Sequence, residues 1–138
     1  MRRNEPDCFR QFIQMLSGTE LFRNDEARVW TLDGEVLIAS IKTKMHAIGG
    51  GVIEGLLQAQ ELAEKEYQGL VIWSPDEMFS AGADLQGMMP AFMIGGAKAI
   101  EGAEAELQNA MLKLRYSNVP VISAIRGLAL GGGCELAV

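Results

Sequence analysis

The sequence predicts an α/β fold built on a largely parallel sheet, and three observations carry that prediction. Residues 69–73 and 121–125 are short continuous apolar runs, the mark of strands buried on both faces. Each follows a stretch whose apolar residues have helical spacing, so strands alternate with helices as right-handed crossover units require. Ahead of both, residues 28–32 and 35–41 flank Asp33-Gly34, the strongest short-range hairpin signal.

Taken in order, Phe9, Phe12, Ile13 and Leu16 stand at helical spacing before Ser17-Gly18-Thr19 ends the pattern. They give a short amphipathic helix within a leader or linker over residues 1–25, and the main domain is expected over residues 26–138, opening with the hairpin. From 52 to 67, Val52, Ile53, Leu56, Ala59, Ala63 and Tyr67 line one stripe, with Glu54, Glu61, Glu64, Lys65 and Glu66 mostly off it. That is a surface helix lying on a core. Ser74-Pro75-Asp76 stops the strand that follows. A second helix is expected over residues 96–116, with Ile100, Ala103, Leu107, Ala110, Met111 and Leu114 on one side. Its acids Glu101, Glu104 and Glu106 come early and Lys113 and Arg115 late, the order that suits the helix dipole. Asn118 and Pro120 close it and open the next strand. Leu136-Ala137-Val138 begin another helix with no cap, glycine stop or polar tail, so the domain is expected to continue past them.

With 138 residues and 49% hydrophobic content, the chain suits one domain, or part of one, with an ample core. A formal charge of −6 argues against nucleic acid or an anionic membrane as partner, since both need a basic face. Cys8 and Cys134 fit a reducing compartment, and the single His46 leaves no ligand set for zinc or iron. Neither a disulfide nor a metal is expected. Arg2 and Arg3 start like an export signal, but Asp7, Arg10 and Gln11 interrupt any apolar segment behind them. No stretch is long enough to span a bilayer, and the expected location is cytoplasmic.

The chemistry concentrates in two small-residue loops. Gly131, Gly132 and Gly133 sit between the run at 121–125 and the helix expected from Glu135, where unpaired backbone N–H groups cluster. A phosphate loop would need Lys-Ser or Lys-Thr where Cys134-Glu135 stands, so a nucleoside triphosphate is a poor match. Bare N–H donors beside an acid suit a reaction in which a carbonyl oxygen gains charge while a nearby proton moves. The second loop, Phe79-Ser80-Ala81-Gly82-Ala83-Asp84-Leu85, follows the run at 69–73. If the two crossover units pack as neighbours, both loops emerge at carboxyl ends of parallel strands, where open α/β sheets bind ligands. The plainer alternatives are a helix-capping turn with a solvated Glu135, and Asp84 as a helix N-cap. Gly49-Gly50-Gly51 before a helix raises a dinucleotide site, yet that fingerprint needs glycine where Glu54 stands.

Residues 79–85 together with 120–136 resemble the paired signature of the crotonase, or enoyl-CoA hydratase/isomerase, superfamily, and the likeness covers residues 29–138. The stretch at 34–51 and the second helix are most similar to the hydratase region of multifunctional proteins that also carry 3-hydroxyacyl-CoA dehydrogenase activity. The resemblance implies a crotonase-like ββα spiral, truncated after the second strand–loop–helix unit. It implies that the peptide N–H groups of Ala83 and Gly132 hold the thioester oxygen of an acyl-CoA and stabilise an enolate. Ser80, Ala81, Gly82, Asp84, Leu85, Gly131 and Gly133 would then line the substrate. Glu135 matches one of the two glutamates that add water across the 2,3 double bond in family hydratases; the other falls beyond Val138.

The expected function is therefore the acyl-CoA-binding part of an enoyl-CoA hydratase of fatty-acid β-oxidation, weakly active or inactive alone. An enoyl-CoA isomerase and a non-catalytic acyl-CoA-binding or assembly piece are the alternatives. Coenzyme A enters as part of the substrate, NAD belongs only to a separate dehydrogenase domain, and the family implies homo-oligomers, trimers or hexamers. His46 stands where simpler members have Asn, with a structural or CoA-proximal role, and Lys42 and Lys44 either approach CoA phosphates or are solvated edge-strand lysines.

Overall fold

The hairpin forms the heart of the main sheet. In a computed structural model that describes residues 18–138, β1 (Thr19–Arg23), β2 (Ala27–Thr31) and β3 (Val36–Ile41) run antiparallel in succession. Parallel to β3 lies β5 (Gly69–Ile72), and parallel to β5 lies β7 (Val121–Ser123), giving the order β1-β2-β3-β5-β7. The helix α1 (Gly50–Glu66) makes the first crossover and α3 (Ala97–Arg115) the second. The α/β class, the hairpin, both crossover helices and both parallel strands thus agree with the sequence reading.

The hairpin connection is longer than a two-residue turn. Leu32 to Glu35 bridge the strands, with Gly34 at φ +80°. Asp33 Oδ1 accepts from the Glu35 and Val36 amides at 2.8 and 3.3 Å, and the Thr31 hydroxyl donates to the Val36 carbonyl at 2.7 Å. These side chains satisfy the backbone that a tighter turn would have paired.

On α1, Val52, Leu56, Ala59 and Ala63 are buried, as their stripe predicts, and pack on Val29, Leu37, Ala39, Leu70 and Ile72 from three strands. Burying a valine or leucine stabilises by about 1.5–3 kcal/mol, so this face fixes the helix to the sheet. The Gly49 N-cap carries no side-chain cap, and the Glu26 carboxylate fills that place by accepting from the Val52 amide at 3.1 Å. The anion position at the head of α1, the one a dinucleotide would need, is thus held by the chain's own carboxylate.

Five features lay outside the sequence reading. β1 occupies residues assigned to a leader ending at 25, so sheet pairing begins at Thr19; it is an edge strand, exposed at all but Phe22, and carries little apolar signal. The short strands β4 (Ala47–Ile48) and β6 (Gly82–Ala83) pair in parallel as a second, two-stranded sheet, extended by a bridge between Ser80 and Ala129. A single 3-10 turn over Lys44–His46 leads into β4. The helix α2 (Leu85–Gly95) precedes α3 and contains Pro90. The last helix, α4 (Gly132–Ala137), starts three residues earlier than expected, within the glycine triplet. The amphipathic segment around Phe9 and Phe12 lies outside the described residues.

Candidate active site

The two small-residue loops meet. Ser80 donates its amide to the Leu128 carbonyl at 3.1 Å and accepts from the Leu130 amide at 2.9 Å, which seats the segment before α4 against the loop before α2. Two glycines permit this approach. A Cβ on Gly133 would stand 2.7 Å from the Ser80 Cβ, and Gly82 combines φ +95° with a Cβ position only 2.6 Å from the Leu130 carbonyl oxygen.

That packing brings the Ala83 and Gly132 amides together. A Cβ built on Gly132 would lie 3.6 Å from the Ala83 nitrogen, and one on Gly82 would lie 3.1 Å from the Gly132 nitrogen. In the β4–β6 ladder Asp84 donates to the Ile48 carbonyl at 3.0 Å, with Ile48 opposite Ala83. Alternation along a parallel strand therefore turns the Ala83 N–H away from β4. Gly132 is the first residue of α4, where an N–H has no acceptor within the helix. Two neighbouring donors directed away from their own secondary structure can converge on one oxygen.

The other loop residues divide by what they touch. Ser80 is fully buried; its hydroxyl donates to the His46 carbonyl at 2.6 Å and accepts from the Gly82 amide at 3.0 Å. The Ala81 amide donates to Met45 at 3.0 Å. Asp84 caps α2, accepting from the Gly87 amide at 3.0 Å, as its capping alternative predicts. Leu85 is 71% exposed at the head of α2, where Met89, Met93 and Ile94 are also exposed. Gly131 accepts from the Cys134 and Glu135 amides, and Gly133 is buried against Ser80.

Glu135 lies in the first turn of α4, three residues after Gly132 and so on the same side of the helix. A carboxylate is favourable there, near the positive end of the dipole. Its side chain is exposed and borders an open groove of about 930 Å³ between α3, β7 and α4, lined also by Met111, Leu114, Val121 and Leu136. Ala83 and Gly132 are not part of that lining.

Lys42 is exposed and donates to the Asn24 carbonyl at 3.2 Å, and Lys44 is exposed on the 3-10 turn. His46, by contrast, is buried. Its Nδ1 lies 3.0 Å from the Phe79 carbonyl and its Nε2 2.8 Å from Asp76 Oδ2. Sequence reasoning left Asp76 as a strand stop, and a pair thirty positions apart has no spacing signal to find it.

A family model described as enoyl-CoA hydratase/isomerase matches residues 36–138. A Rickettsia felis protein named as the trifunctional enzyme of a fatty acid oxidation complex is 38% identical over 116 residues, which is 84% of this chain and 16% of that protein. A Bacillus subtilis protein named as a 3-hydroxyacyl-CoA dehydrogenase is 30% identical over 125 residues, 89% of this chain and 16% of that protein. The crystal structure of an enoyl-CoA hydratase from Polaromonas sp. JS666 superposes with a TM-score of 0.72 at 26% identity, covering 80% of this chain and 44% of that one. The chain thus spans about a sixth of the length of these curated relatives and under half of the solved structure. With a crotonase-like α/β fold, paired small-residue loops and a family match over most of its length, the chain belongs to the enoyl-CoA hydratase/isomerase family.

Proposed function

We propose that the chain forms the acyl-CoA-binding part of an enoyl-CoA hydratase acting in fatty-acid β-oxidation. The observation that carries this reading is the adjacency of the Ala83 and Gly132 amides, one turn of helix from Glu135. A thioester oxygen between the two donors gains negative charge as water adds at C3 and an enolate forms. Donors already oriented stabilise that charge without reorganising, and each is worth roughly 2.7–4 kcal/mol in comparable acyl-transfer sites. Glu135 would then move a proton between water and substrate. Gly82 and Gly133 shape the floor of the site, and Leu85 at the head of α2 offers apolar surface to an acyl chain.

One carboxylate is available here for a reaction that family hydratases perform with two. General acid–base groups contribute on the order of 10²–10⁴ in rate, so turnover by the 138-residue chain is expected to fall short by about that factor. Calorimetric titration with a saturated acyl-CoA, run beside an assay of enoyl-thioester absorbance, tests both halves. Binding without appreciable turnover is the expected result. Failure to bind any CoA thioester defeats the proposal, and rapid loss of the enoyl absorbance defeats the part that assigns weak activity.

A further inference from the structure

The turn that precedes β4 is strained and yet heavily tied. Met45 and His46 both adopt left-handed backbone, at φ 57° and 50°, a region that residues bearing a Cβ seldom occupy. Such a conformation persists where its surroundings impose it. Here the surroundings are the loop that carries Ala83. Met45 accepts from the Ala81 amide, the His46 carbonyl accepts from the Ser80 hydroxyl, and the His46 ring meets the Phe79 carbonyl. Residues 79, 80 and 81 are thus each held by the 45–46 turn, immediately before the Gly82–Ala83 strand.

The ring's chemistry sets this clasp apart from ordinary packing. Both ring nitrogens face acceptors, the Phe79 carbonyl and the Asp76 carboxylate, and a ring with one N–H can donate to only one of them whereas a ring with two can donate to both. Its side chain is 4% exposed, whereas that of Asp76 is 70% exposed, so one end of the clasp is buried and the other wet. Asp76 is the titratable group in contact with the ring; Lys44 shares its turn, Glu77 follows Asp76, and Arg28 and Lys42 line the same outer cleft as Asp76. The number of ring protons therefore decides whether the loop carbonyl and the carboxylate are both held or only one of them.

We propose that His46 is a positioning residue whose ring, clasped between Phe79 and Asp76, sets the place of the Ala83 amide opposite Gly132. The proposal rests on the reading of Ala83 as an oxyanion donor. The test uses the isotopically labelled 138-residue chain, followed by NMR from about pH 5 to about pH 8, the span in which imidazoles ordinarily change charge. Both His46 ring nitrogens are expected to carry protons at the acid end, and the Ala81, Gly82 and Ala83 amide signals to move on the same curve as the ring. H46F should abolish that step and speed exchange of these amides by at least about tenfold, as loss of a charge-assisted hydrogen bond implies. If H46F does not fold, D76N, at an exposed position, decides the matter by loosening the same amides while those of β3 and β5 stay protected. The proposal is overturned if the three amides ignore the charge of His46, or if their exchange in D76N equals that of the parent. A chain whose amides follow His46 but which binds no CoA thioester upholds the clasp and sinks only the oxyanion reading.

Discussion

Backbone donors are hard to delete, but Gly132 is a position where one can be removed. Proline lacks the N–H and is well tolerated as the first residue of a helix, which is where Gly132 stands. Gly131 before it has no Cβ to obstruct the ring, and a Cβ at 132 meets the tip of Leu107 at 3.2 Å and lies in ordinary contact, 3.6 Å, with the Ala83 nitrogen. Both G132A and G132P place a Cβ beside Ala83, so G132A, which keeps the donor, is the reference, and G132P is expected to bind acyl-CoA roughly two- to tenfold more weakly than G132A, the worth of one hydrogen bond. Calorimetry on the two variants checks this; equal affinities would remove Gly132 from the site. Ser80 yields a second expectation at this scale. Its hydroxyl satisfies both the His46 carbonyl and the Gly82 amide in a fully buried position, so S80A should cost about 1–3 kcal/mol of stability, measured by urea unfolding.

Between elements, Glu64 joins the end of α1 to the link between α3 and β7. Its Oε1 accepts from the Asn118 amide at 2.8 Å, the Ser117 hydroxyl at 2.9 Å and the Gln60 side chain at 2.7 Å. These bonds, the Asn118 amide foremost, hold the carboxyl below its ordinary range. A depressed carboxyl favours the folded state above its unfolded pKa, and the benefit disappears as pH falls through the folded value. E64Q should therefore melt at a lower temperature than the parent near neutrality and lose that difference in acid, which melting curves across pH would resolve. Elements with a buried stripe were legible in the sequence: Val52, Leu56, Ala59 and Ala63 announced α1, and Ala110 and Leu114 are the buried ends of the stripe that announced α3. α2 was not legible because none of its residues is buried, so no apolar face emerges, and Gly87, Pro90 and Gly95 read as loop. β4 and β6 are two residues each, too short for any period. For the site, the glycine triplet and the Gly82 loop were visible as backbone that tolerates close approach. The His46–Asp76 pair was not, because only the fold brings it together.

At the scale of the whole molecule, apolar surface is unevenly distributed. β1 and β7 are the sheet's edges, and around β7 Ile122, Ile125, Leu128 and Leu130 are between 49% and 59% exposed, with Val138 at 92%. Leu85, Met93 and Ile94 on α2 add a second apolar patch, at 71%, 76% and 91%. An unpaired strand edge beside apolar side chains is a template for association. The net charge of −6 opposes it at low ionic strength, but salt screens that repulsion over about 8–10 Å and leaves the apolar attraction in place. The isolated chain is therefore expected to associate as concentration and salt rise, and light scattering behind size exclusion would record the growth in mass. I122K places a charge on the strand edge without entering the core, since that side chain is 59% exposed, and should return the chain toward a monomer. A parent chain that stays monomeric at high salt and high concentration would mean that this edge is less adhesive than its exposure implies. Association unchanged by I122K would instead move the contact to α2, where M93K makes the corresponding test.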